Sequence, residues 1–334
     1  MPEPASTEPG STGVAGHGSA RSGPGSSGAA RSGPGGGGAA ESGPGGATPP
    51  DHAILRLPSA LAEQARDVLS GRKAPVTPRD AASVLLLRPG PANQPGRPGV
   101  EVYLLRRVRS MAFAPGASVF PGGSVDPRDA EEGLAWAGPD PVEWGRDLDA
   151  PADVARALVC AAVRETFEES GVLLAGPTAS TVVADTSGPD WEVDRQALLD
   201  HSLSLAGFLG RRGLVLRSDL LRPWARWITP IAEPRRYDTR FFLAAIPAGQ
   251  RTRHVGGEAD EVAWWQPDAA IRAARQRELR LMPPTAVCLA EVGAYGQVDA
   301  ALRATRHLRP VTPQVVEAGD TLWLTADLDV EYPL

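Results

Sequence analysis

Cysteine is scarce in this chain, with two in 334 residues, too few for a disulfide framework. Cys160 stands among alanines and valines and reads as a small buried residue rather than a nucleophile. No run of about 18 apolar residues occurs, so no helix is expected to span a membrane. No apolar stretch follows Met1, so secretory targeting is not expected either. Together these absences predict a cytoplasmic protein without a membrane partner. An excess of basic charge is missing as well. The net charge of −6 argues against a broad phosphate-binding surface, and so against nucleic acid as the main partner. His201, His254 and His307 are scattered and give no ligand spacing. Nothing in the sequence speaks to oligomeric state.

Residues 1–50 have almost no apolar bulk. A motif recurs there every ten residues, as Arg21-Ser22-Gly23-Pro24-Gly25, Arg31-Ser32-Gly33-Pro34-Gly35 and Glu41-Ser42-Gly43-Pro44-Gly45. Burial cannot offset the ordering entropy of such a tract, which reads as a tail outside a folded domain of 51–334. Asp51 to Ser70 has the spacing of one amphipathic helix. Ala81 to Leu87 and Val100 to Val108 read as two strands of a hairpin, separated by a turn-rich loop from Pro89 to Pro98. Pro127 to Pro151 lacks periodicity and reads as an insertion. A helix follows along Val154 to Glu169 with Asp153 as its N-cap, apolar on two sides and therefore packed on two sides. Another helix is expected at Asp194 to Leu209. Trp224–Ile228, Tyr237–Ile246 and Glu261–Trp265 read as strands. Helices at Asp268–Leu281 and Thr285–Tyr295 and strands at Gln314–Glu317 and Thr321–Thr325 complete the chain. Strands and helices in this order predict a mixed sheet with helices on both faces.

The stretch Ala161 to Val172 (A-A-V-R-E-T-F-E-E-S-G-V) breaks local rules. Glu165, Glu168 and Glu169 share one helix face, because about 3.6 residues make a turn. They crowd the last turn before Gly171, where like charges repel and the partial negative charge of a helix C-terminus adds to the penalty. Arg164 alone cannot neutralise three acids. A hard divalent cation, which takes clustered oxygen ligands, would supply the compensation.

Upstream lies the tight turn Phe120-Pro121-Gly122-Gly123. Together, F-P-G-G and R-E-x-x-E-E-x-G-V resemble the signature of the Nudix hydrolases, which cleave nucleoside diphosphates linked to another moiety. That signature has a glycine, five residues, a glutamate, seven residues, then R-E-U-x-E-E-x-G-U, where U is bulky and aliphatic. Here Gly123 takes the first place and Asp129 stands where the family has glutamate. Between Asp129 and Arg164 lie 34 residues instead of seven, and the first U is Thr166. The stretches M-A-F-A-P-G-A-S-V-F-P-G-G-S-V-D, W-I-T-P, R-R-Y-D-T-R-F-F-L-A-A and R-L-M-P-P-T resemble the branch with a long insertion inside its signature. That branch includes peroxisomal coenzyme-A diphosphatases of animals.

The resemblance implies an α/β/α sandwich and hydrolysis of a pyrophosphate dependent on Mg²⁺ or Mn²⁺. It implies metal ligands Glu165, Glu168 and Glu169, and a general base that is either Glu165 or an acid on a later loop, where Glu258 and Glu261 are the candidates. Arg164 belongs to the same catalytic group, and Gly122 and Gly123 would let the backbone turn sharply beneath the helix. Arg106, Arg107 and Arg109 match a basic motif that would suit a substrate with an extra phosphate, or else form a solvated strand end. The substrate expected is a small-molecule nucleotide, coenzyme A or an acyl-CoA. ADP-ribose, another nucleoside-diphosphate derivative, and a nucleotide sensor without catalysis are the alternatives.

Overall fold

The computed structural model describes residues 48–94, 97–108, 114–253 and 259–334. The expected tail lies outside them except for its last three positions, as do Arg109 and Glu258. Where one helix is predicted over Asp51 to Ser70, Pro58 divides strand β1 (Ala53–Arg56) from helix α1 (Ser59–Leu69). Proline holds the residue before it in extended conformation and starts a helix well, so it sets the boundary. Strands β2 (Arg79–Gln94) and β3 (Arg97–Arg107) form a hairpin longer than expected. Of the Pro89–Pro98 stretch expected as a loop, Pro89–Gln94 and Arg97–Pro98 belong to its outer end, and residues 95–96 lie outside the described residues. The ladder is irregular there, with a register shift between Gly90 and Gln94, which is where prolines are tolerated in a strand.

Strands β4 (Ser118–Val119) and β5 (Gly122–Ser124) fold back onto β3 and β2. The expected insertion holds a 3-10 turn at Pro127–Ala130, strand β6 (Trp136–Ala137) and helix α2 (Pro141–Leu148). Asp140 caps α2, and its Trp144 is buried. Helix α3 (Ala152–Ser170) has Pro151 at its N-cap; Asp153, expected there, lies in the first turn, where its charge still suits the helix dipole. Strand β7 (Ala175–Gly176) follows.

The single helix expected over Asp194 to Leu209 is two, α4 (Pro189–Leu199) and α5 (Leu205–Arg211). His201 between them adopts a φ of 60°, and the Ser204 hydroxyl accepts the Gly207 N–H to start α5. Next come β8 (Val215–Arg217), β9 (Arg222–Ile228), β10 (Tyr237–Ala245) and β11 (Ala259–Trp265). Helix α6 (Pro267–Arg275) stops short of the expected Leu281. After α7 (Pro283–Tyr295) and α8 (Val298–Leu302), strands β12 (Pro310–Val311), β13 (Gln314–Ala318) and β14 (Thr321–Thr325) end the fold.

The main sheet runs β11-β3-β2-β10-β9-β12, with β2 and β10 parallel and their outer neighbours antiparallel. Its central strands are buried on both faces, which is why Val84-Leu85-Leu86-Leu87 is a continuous apolar run rather than an alternating one. Val84 and Leu86 pack toward α2 and α3; Leu85 and Leu87 pack toward α6 and α7. This is the expected α/β/α sandwich with a mixed sheet. A second sheet, β1-β14-β13, joins the two ends of the folded chain, and packs with α1 around Leu57, Ala65 and Leu322. Among the described residues no helix is long and apolar enough to cross a membrane.

Both cysteines are buried and free. Burial pushes the Cys160 thiol up to about 12, and Cys288 is raised well above its usual value for the same reason. A thiol reagent should therefore label neither in the native protein and both after unfolding. Rapid native labelling would show that one of the two helical layers opens.

Candidate active site

The Phe120-Pro121-Gly122-Gly123 turn is stitched to β2. The Val84 N–H and the Ser83 hydroxyl both donate to the Pro121 carbonyl, at 2.8 and 3.1 Å. Gly122 and Gly123 pair with Ser83 and Ala82, and the Gly122 N–H donates to Glu169 Oε2 at 2.8 Å. Neither glycine has a positive φ; close approach, not an unusual turn conformation, is what excludes a side chain. A Cβ on Gly122 would lie 2.5 Å from the Ala82 carbonyl oxygen, and one on Gly123 would overlap the Glu165 carboxylate. Gly123→Ala should thus push Glu165 aside, and a shift of about 1 Å at a reacting group lowers turnover by roughly 100-fold. Kinetics of that variant, with its melting temperature as the folding control, test this; unchanged kcat would remove Gly123 from the site.

Arg164 gathers the acids. Its Nε and Nη2 hold Asp129 in a two-pronged contact at 3.0 and 2.9 Å. Its Nη1 reaches Glu165 Oε1 at 2.8 Å and Glu168 Oε2 at 3.2 Å. Asp129 is brought in by the 3-10 turn, where its carboxylate also accepts the Asp126 N–H at 2.9 Å. Burial alone would lower the proton affinity of the Arg164 guanidinium, but Asp129, Glu165 and Glu168 hold it above its ordinary value. The Glu168 carboxyl is nevertheless raised well above the usual carboxylate range, first by burial and then by Glu165. The two findings are compatible, because one guanidinium shared by three acids is fully satisfied while its acids are not.

Below the acids, Phe167 stacks on Phe208 of α5 with ring centroids 5.2 Å apart, which fixes the last turn of α3. Gly171, at φ 74°, ends the helix. Buried Arg195 donates from Nη1 to the Glu168 carbonyl at 2.9 Å, placing a cation at the negative end of the helix dipole.

Asp129, Glu165, Glu168 and Glu169 outnumber the single arginine among them. Their donors are all hard oxygens, which fits Mg²⁺ or Mn²⁺. Among the described residues no three acids stand together as a formed metal cluster. Arg164 lies between Glu165 and Glu168, and Glu169 is turned to Gly122. The donor chemistry fits a divalent cation, while Arg164 occupies the space between two of the acids.

A cleft of about 940 Å³ opens over this group, lined by Gly122, Gly123, Glu165, Glu168 and Glu169 on one side and by Leu57 and Leu61 on another. That is the size of a small-molecule site. Of the arginines expected to meet substrate, Arg107 lines the cleft, whereas Arg106 is held by Asp260 and Glu261, each at 2.7 Å. Glu261, considered as a base, is exposed on β11 and engaged in that pair. His201, without ligand spacing, lines the cleft within 2.8 Å of Arg128. Glu233 lines it too, a carboxyl whose pKa is raised by burial. Arg195 and Glu233 are not marked as site residues by the sequence, and Asp129 is marked only by its place in the signature. Asp129 had its signal in the five-residue step from Gly123, but Arg195 had none, since its role depends on α4 folding under α3.

A mixed sheet between two helical layers, with a glycine turn laid against an acidic helix end, defines the class as the α/β/α proteins of the Nudix type. The family model of the NUDT19 Nudix domain matches residues 142–291. Chicken acyl-coenzyme A diphosphatase NUDT19 is 28% identical over 285 residues, which cover 70% of this chain and 75% of the relative. The human protein of that name is 30% identical over 260 residues, 64% of this chain and 68% of the relative. A Nudix hydrolase crystal structure from Alicyclobacillus acidocaldarius superposes with a TM-score of 0.59 at 31% identity, covering 70% of this chain and 98% of that one. The chain belongs to the Nudix hydrolase family.

Proposed function

We propose that this protein is a divalent-metal-dependent hydrolase that cleaves the pyrophosphate of coenzyme A or an acyl-CoA. The observation that carries the reading is the Asp129–Arg164–Glu165/Glu168 group set against the Gly122–Gly123 turn on the wall of a nucleotide-sized cleft. The names of the chicken and human relatives support the coenzyme-A half of it. A pyrophosphate repels hydroxide, so cleavage needs charge neutralisation and an activated water. Mg²⁺ or Mn²⁺, held by Glu165, Glu168 and Glu169, would supply the neutralisation and make water more acidic. Glu165, which lies against Gly123, would act as the general base toward the attacking water. Arg164 is a positioning residue that fixes Glu165 and Glu168, with Asp129 fixing Arg164. Glu258 lies outside the described residues and remains the alternative base. The hydrolase unit is residues 51–334, and two buried free thiols suit a reducing compartment such as the cytoplasm.

Incubation with CoA, ADP-ribose, NADH and sugar nucleotides, each with Mg²⁺ and with Mn²⁺, tests the reading. Fastest cleavage of CoA or an acyl-CoA, yielding 3′,5′-ADP and a 4′-phosphopantetheine product, is expected. Clear preference for ADP-ribose would assign the cleft to that nucleotide instead.

A further inference from the structure

We propose that Arg79 and Arg235 form an anion subsite for a phosphomonoester on the nucleoside half of the substrate, apart from the scissile pyrophosphate. The inference rests on the hydrolase reading above and identifies which cations of the cleft read the substrate.

The parallel pairing of β2 with β10 brings the backbone of Arg79 against the segment that carries Arg235. Arg79 is in register with Tyr237, and its N–H donates to the Arg236 carbonyl at 2.9 Å. Arg235 precedes Tyr237 by two residues. Both are exposed, both line the cleft, and among the described residues neither side chain makes an ion pair or a hydrogen bond. Two neighbouring arginines, one on β9 and one on β10, are paired. Arg226 holds Asp238 and Asp149, and Arg240 holds Asp80 and Asp238, so the two aspartates nearest in sequence are already engaged. Arg106, the sequence-based choice for this role, carries two acids of its own.

The surroundings strengthen the positive field. Among the described residues, buried Arg236 donates only to the carbonyls of Thr229 and Val76, at 2.9 and 2.8 Å; burial lowers its pKa. Glu233 is the acid of the β9–β10 loop that shares the cleft, and it pairs with neither arginine. An anion arriving between Arg79 and Arg235 would therefore displace no internal salt bridge. Two guanidinium forks match the several oxygens of a phosphomonoester better than one point charge would.

The spacing suits a nucleotide. Gly123 faces Ala82 across the β5–β2 ladder, and Arg79 lies three residues earlier on the same strand. At roughly 3.3 Å per residue this is about 10 Å from the glycine turn. A pyrophosphate at Gly122–Gly123 would leave the ribose to bridge toward the arginines.

Binding to the metal-free protein is the primary test, with 3′,5′-ADP and 5′-AMP as probes in calorimetry. Wild type should bind 3′,5′-ADP at least about tenfold more tightly, the scale of one charge-assisted contact. Arg79→Ala or Arg235→Ala should bring the ratio close to one, Arg79→Lys should restore part of it, and Arg106→Ala should leave it as in wild type. Since the ratio is taken within each variant, a partly folded preparation does not disturb it. The kcat/KM ratio for CoA over 3′-dephospho-CoA should change in the same way. Equal binding of the two probes by wild type, or a preference that survives both alanine substitutions, overturns the subsite. A preference lost in the variants in a protein that cleaves no CoA would leave the subsite standing and overturn the hydrolase reading instead.

Discussion

Arg164→Met should melt far below the wild type at neutral pH. The side chains of Arg164, Asp129 and Glu168 are 6% exposed or less, and removing one partner of a buried ion pair destabilises by about 3–5 kcal/mol, because the other charge is left uncompensated. For a domain of this size that corresponds to a fall of roughly 10 °C. The pH dependence gives the diagnostic sign. Burial and Glu165 already raise the Glu168 carboxyl and Arg164 opposes them, so without the guanidinium the folded-state pKa of Glu168 would lie further above the unfolded one. The stability of such a group is present when it is protonated and is lost as pH rises through the folded pKa. The deficit relative to wild type should accordingly be small near pH 4.5 and large near pH 8. Melting curves at the two values measure it. A deficit that widened in acid would mean the carboxylates are not what Arg164 compensates. Arg164→Lys should recover little, since lysine keeps the charge but not the fork that reaches Asp129 and Glu165 together.

Glu169→Gln should have the opposite profile, with the fold kept and turnover lost. The Gln amide oxygen can still accept the Gly122 N–H, which Glu169 accepts at 2.8 Å, so the glycine turn stays in place. One negative charge disappears from a crowded helix C-terminus, which favours the metal-free protein slightly. The metal-free variant should melt at or above the metal-free wild type. A charge that stabilises the reacting centre contributes on the scale of 100- to 1000-fold in kcat, about 3–4 kcal/mol. A drop of that size is expected for every substrate the wild type cleaves, and a chelator should abolish turnover of the wild type. Activity within twofold of wild type, or turnover that a chelator leaves untouched, would remove Glu169 from the site.

What could be read from the sequence followed from local chemistry. The V-L-L-L run, the aromatic strands 224–228 and 237–246, and the acidic turn before Gly171 each carry their own signal, and each is found where expected. The errors concern relations between distant segments. Arg106 looks like a phosphate ligand until β11 brings Asp260 and Glu261 beside it. The residues from Pro89 to Gln94 look like part of a loop until β2 carries them on as strand. Asp129 is 35 residues from Arg164 in sequence, yet the two touch, because the 3-10 turn that carries Asp129 and α2 pack back on α3. A longer connection raises the entropy of closing it only logarithmically, by about 0.6 kcal/mol per doubling. The signature can therefore be split without losing its geometry. Arg79 and Arg235 are unremarkable in sequence, and the segments that carry them meet only through the parallel β2–β10 pairing.

The pairing of β1 with β14 also sets an order of assembly. Leu57 and Leu61, made early, stand beside Leu324 along the cleft, yet β1 (Ala53–Arg56) finds its partner only when Thr321–Thr325 has emerged from the ribosome. Contacts this far apart in sequence form late. A nascent chain can complete the glycine turn, the acidic helix end and the central sheet while the β1–β14 strand pair is still missing. During translation, then, the catalytic half of the cleft would exist before this wall, and nucleotide binding by stalled nascent chains of increasing length would reveal when the wall closes.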